Sequence, residues 1–286
     1  MTYTTLISAQ QLQTLHASGQ PLMVFDCSFE LMKPQEGDAQ YAQGHVPGAV
    51  RASLDQHLSA HNAQDAVNGG RHPLPRRELF ANWLASVGFT ADMQAVVYDR
   101  QGANYCGRLW WMLKWVGHEA VAVLDGGLQA WQAAGGALET GTGQTRAASD
   151  FSAGPEKAVL VHSAQVLQAL EKPTQTLVDA RAAPRFRGEI EPLDPVAGHI
   201  PGALNRPFGN NLNEAGLFKT AAQLKSEFDT LLAGRDPASV VHQCGSGVSA
   251  IPNLLAMEIA GLGRTALYAG SWSEWCSDAS RPMAKS

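Results

Sequence analysis

Charged residues and cysteines are scarce in this chain of 286 residues. Charged side chains make up 16%, and the four cysteines lie far apart without a C-x-x-C pair, so neither a zinc ribbon nor a disulfide framework is indicated. No apolar run approaches the roughly 18 residues of a membrane span, and the first residues lack the pattern of a signal peptide. The formal net charge of −5 gives no indication of a surface that binds nucleic acid or an anionic membrane. We therefore expect a cytoplasmic protein whose partners are small molecules or proteins, with no nucleic acid and no membrane.

The composition is that of a globular protein. Hydrophobic residues make up 45%, with 28 Gly and 15 Pro, which excludes an intrinsically disordered chain, a collagen and a coiled coil. The chain is about twice the most common domain length, so two domains are the first expectation.

An internal repeat supports two domains. GHVPGA (44–49) recurs as GHIPGA (198–203), and VVYDRQGANYCGRLWW (96–111) runs in step with VVHQCGSGVSAIPNLL (240–255). The first copy carries a short insert of its own within HLSAHNAQDAVNGGRHPLP (57–75). We predict a non-catalytic domain over 1–140, a linker over 141–157 and a catalytic domain over 158–286.

In each copy β-rich runs alternate with helical patterns, and Ser8 and Ser163 are suited to cap the first helix of each. This alternation predicts an α/β fold in which each domain has a mainly parallel sheet covered by helices on both faces. Ligands of such sheets bind beyond the carboxyl ends of the strands. The strand VVHQ ends immediately before Cys244.

The repeat also serves as an internal control, because a residue needed for folding should occur in both copies. Cys244 occurs only in the second copy, where the first has Arg100. Further differences of this kind are Ser246 against Gly102, Ser249 against Tyr105 and Arg185 against Met32. Residues shared by both copies, interpreted as structural, are Asp26 and Asp179, His45 and His199, and Trp131 and Trp275.

The segment CGSGVS (244–249) has the pattern of an anion-binding loop. Its glycines let the backbone curl so that N–H groups point inward, and the helix that follows presents its positive end, which stabilises a thiolate. We predict that Cys244 is a nucleophile, whereas Cys27, Cys106 and Cys276 are structural. The predicted anion-binding residues of the loop are Gly245, Gly247, Val248 and Ser249.

The chain resembles the tandem rhodanese-type sulfurtransferases over nearly its whole length, and most closely the 3-mercaptopyruvate sulfurtransferase group. The paired GHxPGA motifs, CGSGVSA (244–250) and GSWSEW (270–275) carry this resemblance. It implies that Cys244 forms a persulfide and that no metal or organic cofactor is needed. Thiosulfate-preferring members usually have Arg-Lys after the cysteine, and Gly-Ser at this position favours 3-mercaptopyruvate as donor.

The resemblance also implies roles for individual side chains. Arg185 matches the arginine that holds the substrate carboxylate. A second such arginine normally follows Glu-Pro, but this sequence has Leu193 there, and Arg187 is a candidate to supply the missing charge. A Ser-His-Asp relay is implied as well, with Ser246, His72 and Asp55 as its members.

The implied acceptor is cyanide, a small thiol or a reduced thioredoxin-type protein, and we expect a monomer or weak dimer. Three other functions share part of this pattern. A thiosulfate sulfurtransferase differs only in donor, and a non-catalytic binding module would not need the intact cysteine loop. A cysteine phosphatase needs C-x5-R, but GSGVSAI after Cys244 contains no arginine.

Overall fold

The computed structural model describes residues 2–286, which form two compact units. The first unit runs to Asp65 and also contains Pro75–Lys157 and Glu214–Leu217, and the second contains Ala66–Leu74, Ala158–Asn213 and Phe218–Ser286. The segment Ala66–Leu74, which lies within the insert of the first copy, is thus part of the second unit. The predicted domain ranges did not separate this segment from the first copy.

The first unit is built on one parallel sheet of five strands in the order β1-β5-β4-β2-β3. Its strands are β1 (Leu6–Ile7), β2 (Leu22–Asp26), β3 (Val50–Arg51), β4 (Gln94–Tyr98) and β5 (Val121–Leu124). Its helices are α1 (Ala9–Ala17), α2 (Glu36–Gln43), α3 (Arg77–Ser86), α4 (Cys106–Trp115) and α5 (Gly127–Ala133).

The second unit repeats this topology with the strand order β6-β10-β9-β7-β8, again all parallel. Its strands are β6 (Val159–Val161), β7 (Thr176–Asp179), β8 (Leu204–Asn205), β9 (Val240–Gln243) and β10 (Ala266–Tyr268). Its helices are α6 (Ser163–Gln168), α7 (Ala183–Arg187), α8 (Ala221–Leu232), α9 (Ile251–Ile259) and α10 (Ser271–Trp275), with 3-10 turns at Phe208–Asn211 and Pro237–Ser239.

The strand order places helices on both faces of each sheet. From β1 to β3 the chain moves across the sheet in one direction, and from β3 to β5 it returns in the other. Because parallel crossovers are right-handed, connections that run in opposite directions put their helices on opposite faces. The predicted α/β fold class is confirmed. No helix within residues 2–286 has both the length and the apolar character to cross a membrane.

The first helices of the two units begin differently. Ser8 caps α1 as predicted: its Oγ accepts the N–H of Gln11 at 3.2 Å, and Gln11 Oε1 accepts the N–H of Ser8 at 2.9 Å. The prediction for Ser163 is wrong by one residue, because the cap of α6 is His162, whose N–H donates to Gln165 Oε1 at 2.8 Å.

The shared histidines make matching structural contacts in the two units. His45 stacks on Tyr41 with 3.9 Å between ring centroids, and His199 stacks on Phe186 at 4.0 Å. Nδ1 of each histidine lies 2.8 Å from the backbone oxygen of the aromatic residue on which it stacks. These contacts account for the histidine of the GHxPGA motif in both copies.

A buried carboxylate ends the second strand of each unit. Asp26, at the end of β2, is fully buried and accepts from Arg100 Nη1 at 3.0 Å. Asp179, at the end of β7, is also fully buried and accepts from Arg181 Nη2 at 2.7 Å. A carboxylate removed from water needs such a partner, because an unpaired buried charge is strongly destabilising.

We predict that Arg100→Met lowers the free energy of unfolding of the first unit by about 3–5 kcal/mol, because it leaves Asp26 buried and unpaired. The measurement is urea denaturation followed by tryptophan fluorescence. Arg76→Met is the matched control: Arg76 is exposed and pairs with Asp65 at 3.2 Å, so its loss should cost less than about 1 kcal/mol. Equal effects of the two substitutions would contradict the assigned role of Arg100.

Candidate active site

Cys244 lies at the reversal point of the second sheet. Strands β7 and β9 are neighbours with Asp179 opposite Gln243, so both strands end at the same level. The chain order reverses between these two strands, and open α/β sheets bind ligands at such a point beyond the carboxyl ends. Cys244 follows β9 directly and is 2% exposed.

The start of α10 holds the cysteine loop in place. The N–H of Cys244 donates to Ser271 Oγ at 3.0 Å, and the Cys244 oxygen accepts the N–H of Trp272 at 3.0 Å. The N–H of Ser273 donates to the oxygen of Gly245 at 2.9 Å. Three hydrogen bonds therefore fix the first two residues of the loop to the GSWSEW motif.

The loop conformation requires a glycine at position 247. Gly247 has a φ of +74°, and a Cβ there would collide with the backbone of Ala269. Four of the loop N–H groups have no acceptor within residues 2–286 and are therefore available to an anion. These four donors belong to Gly245, Ser246, Val248 and Ser249.

The structure brings His72 to the loop. Nδ1 of His72 and Oγ of Ser246 share a hydrogen bond of 2.8 Å, and both side chains are buried. The preceding residues are fastened to α10, because the N–H of Gly69 donates to Glu274 Oε1 at 3.0 Å and the N–H of Arg71 donates to Ser273 Oγ at 3.1 Å. All of these residues belong to the second unit.

The third predicted relay member, Asp55, belongs to the first unit. It is partly buried, and this burial raises the pKa of its carboxyl above the ordinary value. Its place beside His72 remains a prediction.

Arg185 lies against the cysteine loop. A Cβ built on Gly245 would be 3.5 Å and 3.6 Å from its Nη1 and Nη2 atoms. Its guanidinium donates to Glu191 from Nε at 3.2 Å and from Nη2 at 2.6 Å, and Nη2 is 3.3 Å from Asp194 Oδ2. Burial opposes ionisation of Glu191, but the hydrogen bonds from Arg185 and from the N–H of Leu193 lower its pKa below the ordinary value. The cation is therefore held rigidly beside the loop.

Arg187 is placed differently, although it shares α7 with Arg185. Its Nε donates to Glu189 Oε1 at 2.7 Å, and its side chain is 42% exposed. Residues two positions apart on a helix point to different sides, so the two arginines do not share one role.

The other cysteines have the environment of structural residues. Burial is the main cause that raises the pKa of the thiols of Cys27, Cys106 and Cys276. A raised pKa keeps a thiol protonated, and the protonated form is not nucleophilic.

Sequence reasoning missed the side chains of α10 that organise the site. The matching segment of the first copy reads GGLQAW (126–131) against GSWSEW (270–275). In this alignment Ser271, Ser273 and Glu274 correspond to Gly127, Gln129 and Ala130 of the first copy. The comparison of copies that singled out Cys244 could also have found these three residues. Arg71 and Asp194, which form an ion pair with each other, were missed as well.

Among residues 2–286 no group of three or more His, Cys, Asp or Glu side chains is arranged to hold a metal ion. The arrangement instead offers a cysteine beside N–H donors and a guanidinium. Such a site can attack an electrophilic atom of an anionic substrate and hold the anion that results.

Comparison with known proteins identifies the family. The rhodanese-like domain model matches this chain twice, over residues 8–134 and 162–278. The protein belongs to the rhodanese-like family, with two such domains in tandem.

Three relatives indicate which members of the rhodanese-like family this chain is similar to. A Pseudomonas aeruginosa protein named "Probable 3-mercaptopyruvate sulfurtransferase" is 45% identical over 285 residues, covering 99% of each chain. A Mycobacterium tuberculosis protein, provisionally named thiosulfate sulfurtransferase SseB, is 38% identical and covers 98% of this chain and 96% of its own. The crystal structure of SseA from Escherichia coli, one of the 3-mercaptopyruvate sulfotransferases, superposes with a TM-score of 0.80 at 32% identity, covering 95% of this chain and 100% of its own. The resemblance found in the sequence is confirmed.

Proposed function

We propose that this protein is a sulfurtransferase that takes sulfur from 3-mercaptopyruvate and passes it through a persulfide on Cys244 to a thiophilic acceptor. The observation that carries the proposal is the position of Arg185, a fixed guanidinium beside the loop of the buried Cys244. A planar guanidinium binds a carboxylate through two hydrogen bonds. The names of the Pseudomonas and Escherichia relatives agree with this donor.

In the first half-reaction the Cys244 thiolate attacks the sulfur of the donor. A sulfur–sulfur bond forms and the carbon–sulfur bond breaks, with its electron pair moving to the carbon that becomes the enolate of pyruvate. Protonation of that carbon gives pyruvate. The loop N–H groups stabilise the anionic persulfide, which is the role of an oxyanion hole in acyl transfer.

In the second half-reaction the acceptor attacks the outer sulfur atom. Cyanide becomes thiocyanate, and a thiol becomes a persulfide, while the electron pair of the sulfur–sulfur bond returns to Cys244 as a thiolate. The enzyme is thus restored, and the cycle is ping-pong.

The other predicted residues enter the proposal through their positions. Ser246 and His72 are hydrogen-bonded at 2.8 Å and supply a proton path beside Cys244, and Asp55 would complete it. Arg185 is favoured over Arg187 for the carboxylate, because Arg187 is paired with Glu189 at the surface. The loop residues Gly245, Gly247, Val248 and Ser249 are proposed to form the cradle of the persulfide.

The acceptor proposed from the sequence includes a reduced thioredoxin-type protein as well as small thiols. The monomeric or weakly dimeric state and the cytoplasmic location also remain predictions. The names of the relatives support a small-molecule sulfur donor and acceptor.

Thiosulfate is the alternative donor, and the name of the Mycobacterium relative points to it. We predict that kcat/KM for 3-mercaptopyruvate exceeds that for thiosulfate at least tenfold, because the site offers a partner to a carboxylate and the loop itself has no cationic side chain. Steady-state assays with cyanide as shared acceptor measure both donors. A higher kcat/KM for thiosulfate would reverse the assignment.

We predict that Cys244 alone carries the transferable sulfur. Cys244→Ser should abolish turnover, and intact mass spectrometry after treatment with donor should show a gain of about 32 Da, one sulfur atom, only when Cys244 is present. Cys276→Ala is the matched control, since Cys276 is also buried in the second unit and should keep activity. Turnover by Cys244→Ser would refute the persulfide mechanism.

We predict that His72→Ala lowers kcat roughly 10- to 100-fold, within the range of a lost acid–base contribution. Ser246→Ala should act through the same hydrogen bond, so the double variant should lose little more than either single one. Unfolding curves provide the check that the fold is intact. Additive losses in the double variant would show that the two side chains act separately.

A further inference from the structure

We infer that Glu274 is a positioning residue of the relay: its carboxylate holds the tip of the segment Ala66–Leu74 and thereby places His72 beside Ser246. This inference rests on the proposed sulfurtransferase function and deepens it. Ala66–Leu74, which we call the relay segment because it carries His72, belongs to the second unit together with α10. Glu274 acts through the backbone of this segment and is not itself a catalytic residue.

The relay segment closes on itself at its base. The N–H of Val67 donates to the oxygen of Leu74 at 2.8 Å, and the N–H of Leu74 donates to Asn68 Oδ1 at 3.1 Å. These bonds join the two ends of the segment but do not reach its tip, residues 69–71. The position of the tip is therefore set by its contacts with α10.

Two acceptors of α10 hold the tip. Glu274 Oε1 accepts the N–H of Gly69 at 3.0 Å, and Ser273 Oγ accepts the N–H of Arg71 at 3.1 Å. A hydrogen bond to an ionised carboxylate is stronger than one to a neutral hydroxyl. The bond between Glu274 and Gly69 is therefore the stronger of the two anchors.

The hydrogen bond between the relay members depends on this anchoring. His72 follows the tip directly, and its Nδ1 lies 2.8 Å from Ser246 Oγ. A displacement of the tip by about 1 Å would take these two atoms beyond hydrogen-bond range. Because a proton moves between groups only within that range, the anchor at Gly69 bears on the rate of the step that uses the relay.

Two glycines make room for the Glu274 carboxylate. A Cβ on Gly270 would overlap Glu274 Oε2, and a Cβ on Gly69 would lie 3.1 Å from Glu274 Cγ. Either added side chain would push the carboxylate away from the N–H that it accepts. The carboxylate thus fits closely between the start of α10 and the relay segment.

The burial of this carboxylate is costly. Glu274 Oε2 is buried and has no hydrogen-bond partner within residues 2–286, and a buried polar atom without a partner destabilises a fold. The bond from Gly69 to the other carboxylate oxygen offsets part of this cost. An acid at this position is therefore explained better by its contact with the relay segment than by the stability of α10 alone.

The two copies support the same assignment. The residue of the first copy that matches Glu274 is Ala130, and Ser273 is matched by Gln129. A helix α5 without either anchor folds in the first unit, so these side chains are not needed to form a helix of this kind. They occur only in the unit that contains the relay segment.

The test measures turnover of 3-mercaptopyruvate by full-length Glu274→Ala in the wild-type and His72→Ala backgrounds. With His72 present, we expect kcat to fall roughly 5- to 50-fold, as for a displaced acid–base group, and KM to stay within about threefold. With His72 replaced, Glu274→Ala should lower kcat less than about twofold, because the group that it positions is gone. An equal loss in both backgrounds would overturn the inference, since a purely structural role does not depend on His72.

Two further variants serve as controls. Glu274→Gln keeps an oxygen that can accept the N–H of Gly69, and its kcat should stay within about threefold of wild type. Asp229→Ala removes an exposed acid of the same unit, which pairs with Lys225 at 2.7 Å, and should leave kcat unchanged. A loss in Glu274→Gln as large as that in Glu274→Ala would contradict the inference, because the acceptor is preserved.

Hydrogen exchange separates this inference from the proposed function. Amide exchange of the peptide that covers the relay segment is followed by mass spectrometry in wild type and in Glu274→Ala. We expect exchange to become roughly 10-fold faster in the relay segment and to stay unchanged in β9. If wild type does not turn over 3-mercaptopyruvate, the proposed function fails, while this measurement still decides whether Glu274 holds the segment. Unchanged exchange in the relay segment, or faster exchange throughout the second unit, would refute the role of Glu274.

Discussion

Each unit contains a buried carboxylate that needs a guanidinium partner. The position from which that arginine comes decides which half of this protein can hold a nucleophile. In the first unit the partner of Asp26 is Arg100, which stands at the position matching Cys244 and also donates to the backbone oxygen of Gly44 at 2.5 Å. In the second unit Arg181 provides the cation from the end of β7 and donates to the oxygen of Gly198 at 2.7 Å. Because the partner of Asp179 comes from another segment, the position after β9 is free for a cysteine.

Helix α10 organises the residues around this cysteine. Its first turn fixes the backbone of the cysteine loop through Ser271 and Trp272, and it binds the segment that carries Arg71 and His72 through Ser273. One short helix thus holds the cysteine loop and the segment of Arg71 and His72 in fixed positions relative to each other. A site on such a support loses little conformational entropy when substrate binds, which favours a defined reacting geometry.

The sequence predicted the parts of this site that local patterns encode. The alternation of strands and helices predicted the α/β fold, and the paired GHxPGA motifs, the cysteine loop and GSWSEW carried the resemblance to the family. The ion pair of Arg71 with Asp194 was not predictable in that way, because it joins residues far apart in the chain. The distinction between Arg185 and Arg187 was within reach, since their spacing on one helix already separates their directions.

The charge balance around the loop bears on which anion the site accepts. Arg71 and Arg185 are matched by Glu191 and Asp194, so the four side chains together carry no net charge. Binding then depends on the fixed directions of the guanidinium donors rather than on an excess of positive charge. A dianion would bring a second charge out of water with no further cation among these four to meet it. The balanced charge of these four side chains therefore agrees with the proposed preference for a keto acid over thiosulfate.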